Sequence, residues 1–412
     1  MTNFDEACAI VANLSALGAE LVPLLAAEGR TLAEHIVAPE DVVPYARSAM
    51  DGFAVRADDT RGAPLTLPIA AAPVYAEAGL TLHAPHTATA IATGGAIPAG
   101  ADAVIPFEDV FVSAGAIVVA RPVHAGHHVF PPGEDARAGD ELAAPGTLLD
   151  PPTLALLGSA GITTVVAFRL PRVAVVTTGN ELVPFDATPA HGQIRNSNAI
   201  AIGTSLRAFG AGALDLRTVA DDRDALRSAL ASAFASADLT VVSGGASVGE
   251  RDYVKSVCDE LGVTFAFRSV ALRPARPSAF GRYGDAHVAL LPGNPAAAFV
   301  ALHEFVRPAV AALGGRFGGV MPRVSALLDG TLHARRGRTF AVYSRLRFNG
   351  REFVATPLAN QCSALTRLAA DADGFAIVPP DADDLHPGAH VDVDVVSWRR
   401  VHSHVPRPAR SR

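Results

Sequence analysis

Between Arg172 and Leu291, five apolar runs each end in a loop of glycines or charged residues. Val173–Val176 leads into Thr-Thr-Gly-Asn-Glu-Leu with Glu181, and Leu214–Val219 leads into Ala-Asp-Asp with Asp221 and Asp222. Leu239–Val242 leads into Ser243-Gly244-Gly245-Ala246-Ser247-Val248-Gly249, Phe265–Leu272 into Arg-Pro-Ala-Arg-Pro, and Val288–Leu291 into Leu-Pro-Gly-Asn-Pro. Runs of this kind suit buried strands, and helical patterns follow most of them, for example at Asp224–Phe234 and Asn294–Leu313. Strands alternating with helices predict a parallel α/β sheet whose ligands sit beyond the carboxyl ends of the strands. Those ends are where this chain collects its carboxylates, arginines and glycines.

The rest of the chain reads differently. Residues 3–27 predict an amphipathic helix with Asn3 as its cap and Glu6 three residues on, and Thr31–Ile36 predicts a second helical piece. Residues 44–135 are rich in Ala, Pro, Thr and Gly with short β-like runs, so a small β-rich module is expected there. Asp150-Pro151-Pro152 opens a helix through Gly158, with proline in its first turn. Arg345–Phe348 and His390–Val395 alternate at period two, which predicts a C-terminal antiparallel barrel or sandwich. The resulting partition is 1–43 with 136–170, 44–135, 171–318, 319–398, and a basic, proline-punctuated tail at 399–412 expected to be disordered.

Composition narrows the classes. With 412 residues, about two to four domains are expected. No uninterrupted run of apolar residues is long enough to span a bilayer, and the N-terminus lacks the pattern of a secretory signal, so neither membrane nor export is expected. Three scattered cysteines suit a reducing cytoplasm and exclude a cysteine metal cluster. A net charge of −7 argues against broad nucleic-acid binding. Lys255 is the only lysine; every other fixed cation is arginine.

The loop at 243–249 is the main chemical signal. Three glycines and two hydroxyls between a strand and a helix start expose backbone N–H groups, which makes an anion site; a tight structural turn is the competing reading. It is neither a Walker loop nor a dinucleotide fingerprint. Aspartates beside a phosphate-like loop suit Mg²⁺, and one of Asp221 and Asp222 is expected to cap the helix that follows. His124, His127 and His128 lie in a Gly/Pro loop without helical spacing and are not expected to hold a metal. Asp51 stands in an Asp-Gly turn pair.

Eight ordered motifs then carry a resemblance over nearly the whole chain: SAMDGFA (48–54), TGGAIPAGADAV (93–104), PPGED (131–135), TGNEL (178–182), GQIRNSN (192–198), SGGASVGERDYVK (243–255), LPGNP (291–295) and CSALTRLA (362–369). The chain resembles the molybdopterin molybdenumtransferases, the MoeA proteins and the gephyrin E domain. The resemblance implies an elongated protomer with a doubly wound α/β domain similar to the MogA-type adenylyltransferase, a β-rich module, a helical linker region and a C-terminal β-barrel-like domain. It also implies a homodimer whose site combines walls of two protomers, and a last step of molybdenum cofactor synthesis. There adenylylated molybdopterin loses AMP in a Mg²⁺-dependent step and receives molybdenum from molybdate, with the adenylyltransferase as partner. Positions matching the family's functional residues are Asp51, Thr93, Asp135, Glu181, Asp221, Asp252, Pro292, Pro295, Arg345 and Ser363. Of these, Asp51, Glu181, Asp221 and Asp252 are expected to be catalytic, with Glu181, Asp221 and Asp252 on the metal. Ser243, Gly244, Gly245, Ser247 and Gly249 are expected to grip phosphates, and Arg268 and Arg273 to face the crevice together as an oxyanion site. The chain departs from the family where lysines precede PGKP: it has Arg268, Arg273, Ala275 and Arg276. A non-catalytic or regulatory molybdopterin-binding paralogue is the alternative that this departure leaves open.

Overall fold

A computed structural model describes residues 1–70, 83–245, 253–316 and 321–397. Ser247, Gly249 and Asp252 of the expected site lie outside the described residues, as does the basic tail. Contacts group residues 1–21, 29–33 and 166 onward into one unit, and 22–28 with 34–165 into another, a different grouping from the partition expected above.

The first unit begins with helix α1, Phe4–Ala12, capped by Asn3, whose Oδ1 accepts the Glu6 N–H at 3.0 Å. The helix stops there instead of running to residue 27. Asn13 caps its end and donates from both its backbone N–H and Nδ2 to the Ala9 carbonyl, and the chain is extended again from Ala19 to Pro23. The helix expected at Thr31–Ile36 is also absent: the Ala33 N–H donates to the Val166 carbonyl and the Phe168 N–H to that of Thr31, so pairing with a distant segment of the same chain satisfies this backbone. Phe4, Ala7 and Val11 enter the main core, with Phe4 edge-on to Phe305 at 6.3 Å.

The α/β domain runs β1 (Arg172–Thr178), α2 (Ser197–Phe209), β2 (Ala213–Val219), α3 (Arg223–Ser236), β3 (Leu239–Ser243), α4 (Tyr253–Leu261), β4 (Thr264–Phe267), β5 (Ala279–Tyr283), β6 (Ala286–Leu291) and α5 (Pro295–Leu313). Its sheet has the order β2-β1-β3-β6-β5-β4. The first four strands are parallel, whereas β5 and β4 are added antiparallel, so the sheet is mixed. Both faces are covered, which explains the unbroken apolar runs. Val173 and Val175 pack in one core with Ile202, Leu206 and α5; Ala174 and Val176 pack in the other with Leu226, Leu230, Val254 and Val257. At the strand starts, Asp238 is held by Arg169 and Arg172. Burial opposes its charge, but hydrogen bonds from these arginines keep its carboxyl well below the usual range.

The expected strand Phe265–Leu272 divides. Thr264–Phe267 forms the edge of the sheet, while Leu272–Arg273 leaves it and pairs parallel with Thr339–Phe340 of the next domain. The apolar run reflects burial of Phe267, Val270 and Leu272 in one core, not a single strand. Helix α5 is long and apolar enough to cross a membrane by length and composition, but 89% of its apolar window is buried, and it serves as a core helix. It contains one π-helical turn, Leu302–Val306, where burial pushes the His303 imidazole down to about 3.

The last domain contains β7 (Arg323–Leu328), β8 (Thr339–Phe348), β9 (Phe353–Pro357), β10 (Gly374–Val378) and β11 (His390–Val395). They pair in the circular order β8-β9-β7-β11-β10 and back to β8, a closed five-stranded barrel. One pair, β7 with β9, is parallel, so the barrel is not wholly antiparallel. Alternation along β8 divides its side chains: Val342 and Leu346 fill the barrel, while Ala341 and Tyr343 pack on α5. The Tyr343 hydroxyl donates to the Ala296 carbonyl at 2.6 Å and fixes the barrel to the start of that helix.

The second unit is built around two three-stranded antiparallel sheets. One has the order Thr89–Ile91, Gly52–Val55, Ala103–Pro106, and the other Leu65–Pro68, Ala116–Val119, Val110–Ser113. Phe53, Val55, Leu67, Ile105 and Ile117 form their shared core. The helix expected after Asp150 is present as Pro151–Ser159, with the Asp150 carboxylate accepting the Thr153 N–H at 3.0 Å.

Candidate active site

The carboxyl ends of β1, β2, β3 and β6 converge on a cavity of about 730 Å³. It is lined by Glu181, Asp221, Ser243, Gly244, Gly245, Pro292 and Pro295 among others, so seven of the expected residues meet in one place. Each is placed by a visible device. The Asp221 carboxylate accepts the Thr178 hydroxyl at 2.6 Å and the Asn180 N–H at 3.3 Å, and the Asn180 side chain accepts the Asp221 N–H in return. Asp222 accepts the Ala225 N–H and is the helix cap, which leaves Asp221 to the cavity. Ser243 donates from its hydroxyl to the Pro292 carbonyl and accepts from Asn198 Nδ2, which also reaches the Gly293 carbonyl. Asn198 thus ties the glycine loop to the Pro-Gly-Asn-Pro loop. It had been visible only as part of a motif.

The donor set of this cavity suits a hard cation. Two carboxylates and several hydroxyl and amide oxygens line it, and none of the described lining residues is His or Cys. Glu181 is exposed, and its carboxylate lies against Gly179, 2.8 Å from where a β-carbon would stand there. No hydrogen bond engages that carboxylate among the described residues. These also contain no group of three or more His, Cys, Asp or Glu side chains placed to hold a metal; the third expected ligand, Asp252, lies outside them.

A second cavity of about 900 Å³ lies between the α/β domain and the barrel. Arg273, Arg276, Asn294 and Ser363 line it, with His333 and Arg338 from the barrel side. Pro277, Pro292 and Asn294 line both cavities, so the two chambers adjoin. Ser363 is held by its carbonyl, which accepts the Ala296 N–H at 2.9 Å, and by its hydroxyl, which accepts from Asn294 at 3.3 Å.

Two arginines fall elsewhere. Arg268 lines neither cavity; its guanidinium pairs with Asp259 and lies 4.5 Å from the Phe265 ring centroid. The expected partnership with Arg273 therefore does not form, because Asp259, on the helix α4 that precedes the strand, captures Arg268. Arg345 is exposed on β8, with Nε donating to the Asp371 carbonyl, and also lines neither cavity. In the second unit, Asp51 and Thr93 are bonded to each other: the Asp51 carboxylate accepts the Thr93 N–H at 2.7 Å and its hydroxyl at 2.9 Å. The backbone bond first, then the hydroxyl, holds the Asp51 carboxyl below its ordinary range. Asp135 is exposed on a bend and is not bonded to that pair among the described residues.

Ala275 adopts φ +98° in the turn that carries Arg273 and Arg276 into the cavity, a region that favours glycine. Relief of strain in Ala275→Gly, about 1–2 kcal/mol, opposes the loss of a buried methyl and the added chain entropy, together of similar size. The substitution is therefore expected to leave the melting temperature within about 2 °C of the parent. A drop of the size seen for ordinary buried alanines, read by calorimetry, would count against the strain.

By architecture this is a multidomain protein of the α/β class, with two adjoining chambers at the strand ends, one lined by carboxylates and a glycine loop and one by arginines. Its sequence matches three family descriptions in order: the MoeA N-terminal region (domain I and II) over residues 2–161, a probable molybdopterin binding domain over 174–312, and the MoeA C-terminal region (domain IV) over 325–396. It is 31% identical to molybdopterin molybdenumtransferase 2 of Mycobacterium tuberculosis over 383 residues, covering 90% of this chain and 94% of that one. The molybdopterin molybdenumtransferase of Haemophilus influenzae is 35% identical over 298 residues, 72% of this chain and 73% of that one. A crystal structure of a molybdopterin biosynthesis MoeA protein from Pyrococcus horikosii superposes with a TM-score of 0.78 at 30% identity, covering 96% of this chain and 99% of that one. The chain belongs to the molybdopterin molybdenumtransferase family, and it is a transferase of molybdenum cofactor biosynthesis.

Proposed function

We propose that this chain transfers molybdenum from molybdate to adenylylated molybdopterin, with Mg²⁺-dependent release of AMP, as a homodimer in the cytoplasm that receives its substrate from the adenylyltransferase. The observation that carries the reading is the lining of the adjoining chambers: Glu181, Asp221 and the glycine loop, with Arg195, in one, and three arginines with no carboxylate among the described lining residues in the other. The loop from Ser243 to Gly245 offers backbone N–H groups to the phosphates at a strand end. Glu181 and Asp221 would hold Mg²⁺ together with Asp252. Bound there, the ion would neutralise charge on the pyrophosphate and on the departing AMP. Asn198 ties the glycine loop to the Pro-Gly-Asn-Pro loop, and Asn294 of the latter ties it to Ser363. Arg273 and Arg276, with Ser363 and the two prolines, would position the oxyanion beside the pterin. Asp51, Thr93 and Asp135 are retained as residues of the same reaction on the strength of their motifs.

The test is reconstitution with the purified chain, adenylylated molybdopterin, molybdate and Mg²⁺. AMP release together with activation of a cofactor-free molybdoenzyme is expected, and sedimentation should give twice the chain mass. Tight pterin binding with no AMP released under these conditions would overturn the transferase mechanism in favour of a binding role.

A further inference from the structure

The register of the four parallel strands sets Thr218 of β2, Thr177 of β1, Ser243 of β3 and Leu291 of β6 in one row. Level positions of a parallel sheet carry their side chains to the same face. Three hydroxyls therefore stand side by side at the edge where the carboxylates and the glycine loop begin. Thr177 and Ser243 are buried. Two asparagines at the start of α2 close over the row. Asn196 Nδ2 donates to the Thr177 hydroxyl at 2.7 Å and to that of Thr218 at 3.0 Å. Asn198 Nδ2 donates to the Ser243 hydroxyl at 3.0 Å and to the Gly293 carbonyl at 2.8 Å.

Each asparagine governs a different wall of the 730 Å³ cavity. Thr177 precedes Thr178, whose hydroxyl holds Asp221, and Thr218 stands three residues before Asp221 itself. Asn196 therefore fixes the carboxylate wall. Ser243 opens the glycine loop, and Gly293 lies in the loop after β6, so Asn198 fixes the opposite one. The helix sets the spacing between them. Asn196 is its cap, with Oδ1 accepting the Ala199 N–H at 3.1 Å, and Asn198 is its second residue. The same segment also holds the backbone of Glu181, whose carbonyl accepts the Ile194 N–H at 2.7 Å.

We propose that Asn196 and Asn198 are positioning residues for AMP release, and that the first turn of α2 sets how far the glycine loop stands from Glu181 and Asp221. They act through Asp221 and the loop, not on the reacting atoms. The proposal rests on the reading that this cavity takes the pyrophosphate and its Mg²⁺. The two amides differ in what can replace them. Both partners of Asn196 Nδ2 are hydroxyls, and a hydroxyl can turn to donate, as the Thr177 hydroxyl already does to the Arg217 carbonyl. A carboxylate at 196 therefore keeps these contacts and the helix cap. One partner of Asn198 Nδ2 is a carbonyl, which only accepts. A carboxylate at 198 sets two acceptors against each other and drives the loops apart.

The experiment compares AMP release and amide hydrogen exchange in the full chain for Asn196→Asp, Asn198→Asp and Asn198→Ala. Asn198→Asp is expected to lower kcat by about tenfold or more with KM changed by less than about threefold, because misplaced groups slow the chemical step. Exchange of the Ser243–Gly245 amides should quicken by about tenfold, a readout that needs no substrate. Asn196→Asp should stay within about threefold of the parent in both measurements. Thr204→Ala is the control on the exposed side of α2, where the hydroxyl bonds only to carbonyls of its own helix. It should stay within about twofold of the parent. If Asn198→Asp does not fold, Asn198→Ala decides in its place, since it removes the donor without opposing the Gly293 carbonyl. Parental kcat and exchange in the variant at 198, or equal losses in Asn196→Asp and Asn198→Asp, overturn the assignment and leave the transferase reading intact. A parent that releases no AMP overturns the transferase reading and this proposal with it.

Discussion

Glu181→Gln is expected to slow AMP release from adenylylated molybdopterin by roughly 10²–10³, with the melting temperature within about 1 °C of the parent. The substitution keeps size and shape and removes only the charge. Glu181 is suited to such a test because no hydrogen bond engages its carboxylate among the described residues, so the fold does not depend on it. Its main chain does carry structure, since the Glu181 carbonyl accepts the Ile194 N–H at 2.7 Å, but glutamine preserves that bond. Asp221 is a poorer probe: its carboxylate also anchors Thr178 and Asn180, and Asp221→Asn would blur a lost ligand with a loosened loop. The measurement is AMP release as a function of Mg²⁺ concentration. A raised Mg²⁺ requirement with partial recovery at high Mg²⁺ marks a weakened ligand. A rate equal to the parent's at every Mg²⁺ concentration would remove Glu181 from the metal site.

Much of the α/β domain was legible because its signals are local and agree with one another. Apolar runs closed by glycine or acidic loops gave the parallel strands; one of the pair Asp221 and Asp222 does cap the following helix, and the helix expected at Asn294–Leu313 begins at Pro295. Glu181, Asp221, Ser243 and Pro292 could be grouped before any coordinates, because strand ends in a parallel sheet share one edge. The failures have physical causes of a different kind. Leu272–Arg273 reads as the end of a strand, yet it pairs with Thr339–Phe340 more than 60 positions later, and no local pattern reports such a partner. Arg268 departs from expectation for the same reason: the sequence shows an arginine, but only the fold shows that Asp259 lies beside it. The helix expected over residues 3–27 ends at Ala12 because the apolar residues further on form no buried stripe: Ala19–Pro23 is extended with only Val22 buried, and Leu21 and Leu25 are exposed.

Gly244→Ala is expected to damage both fold and activity. The residue sits at φ +99° at the end of β3, and a β-carbon there would point onto the Thr178 carbonyl oxygen, well inside van der Waals contact, and onto the Thr178 side chain. Two costs add: about 1–2 kcal/mol for an L-residue in that conformation and about 1–3 kcal/mol for overpacking against a backbone that cannot retreat. Thr178 is held on the far side by its bond to Asp221, so relief of the clash would displace the end of β1 and the carboxylate with it. The melting temperature should fall by about 5–15 °C, and AMP release should fall with it even at temperatures where the variant is folded. Gly210→Ala separates the two costs. Gly210 has the same φ of +99° at the end of α2, but a β-carbon there meets nothing within 4 Å. It should therefore lose only the conformational cost, about 1–2 kcal/mol, and keep full activity. Calorimetry and AMP release on both variants read the difference directly. If Gly244→Ala were no less stable and no less active than Gly210→Ala, close approach of the β3 loop to Thr178 would not be what shapes this site.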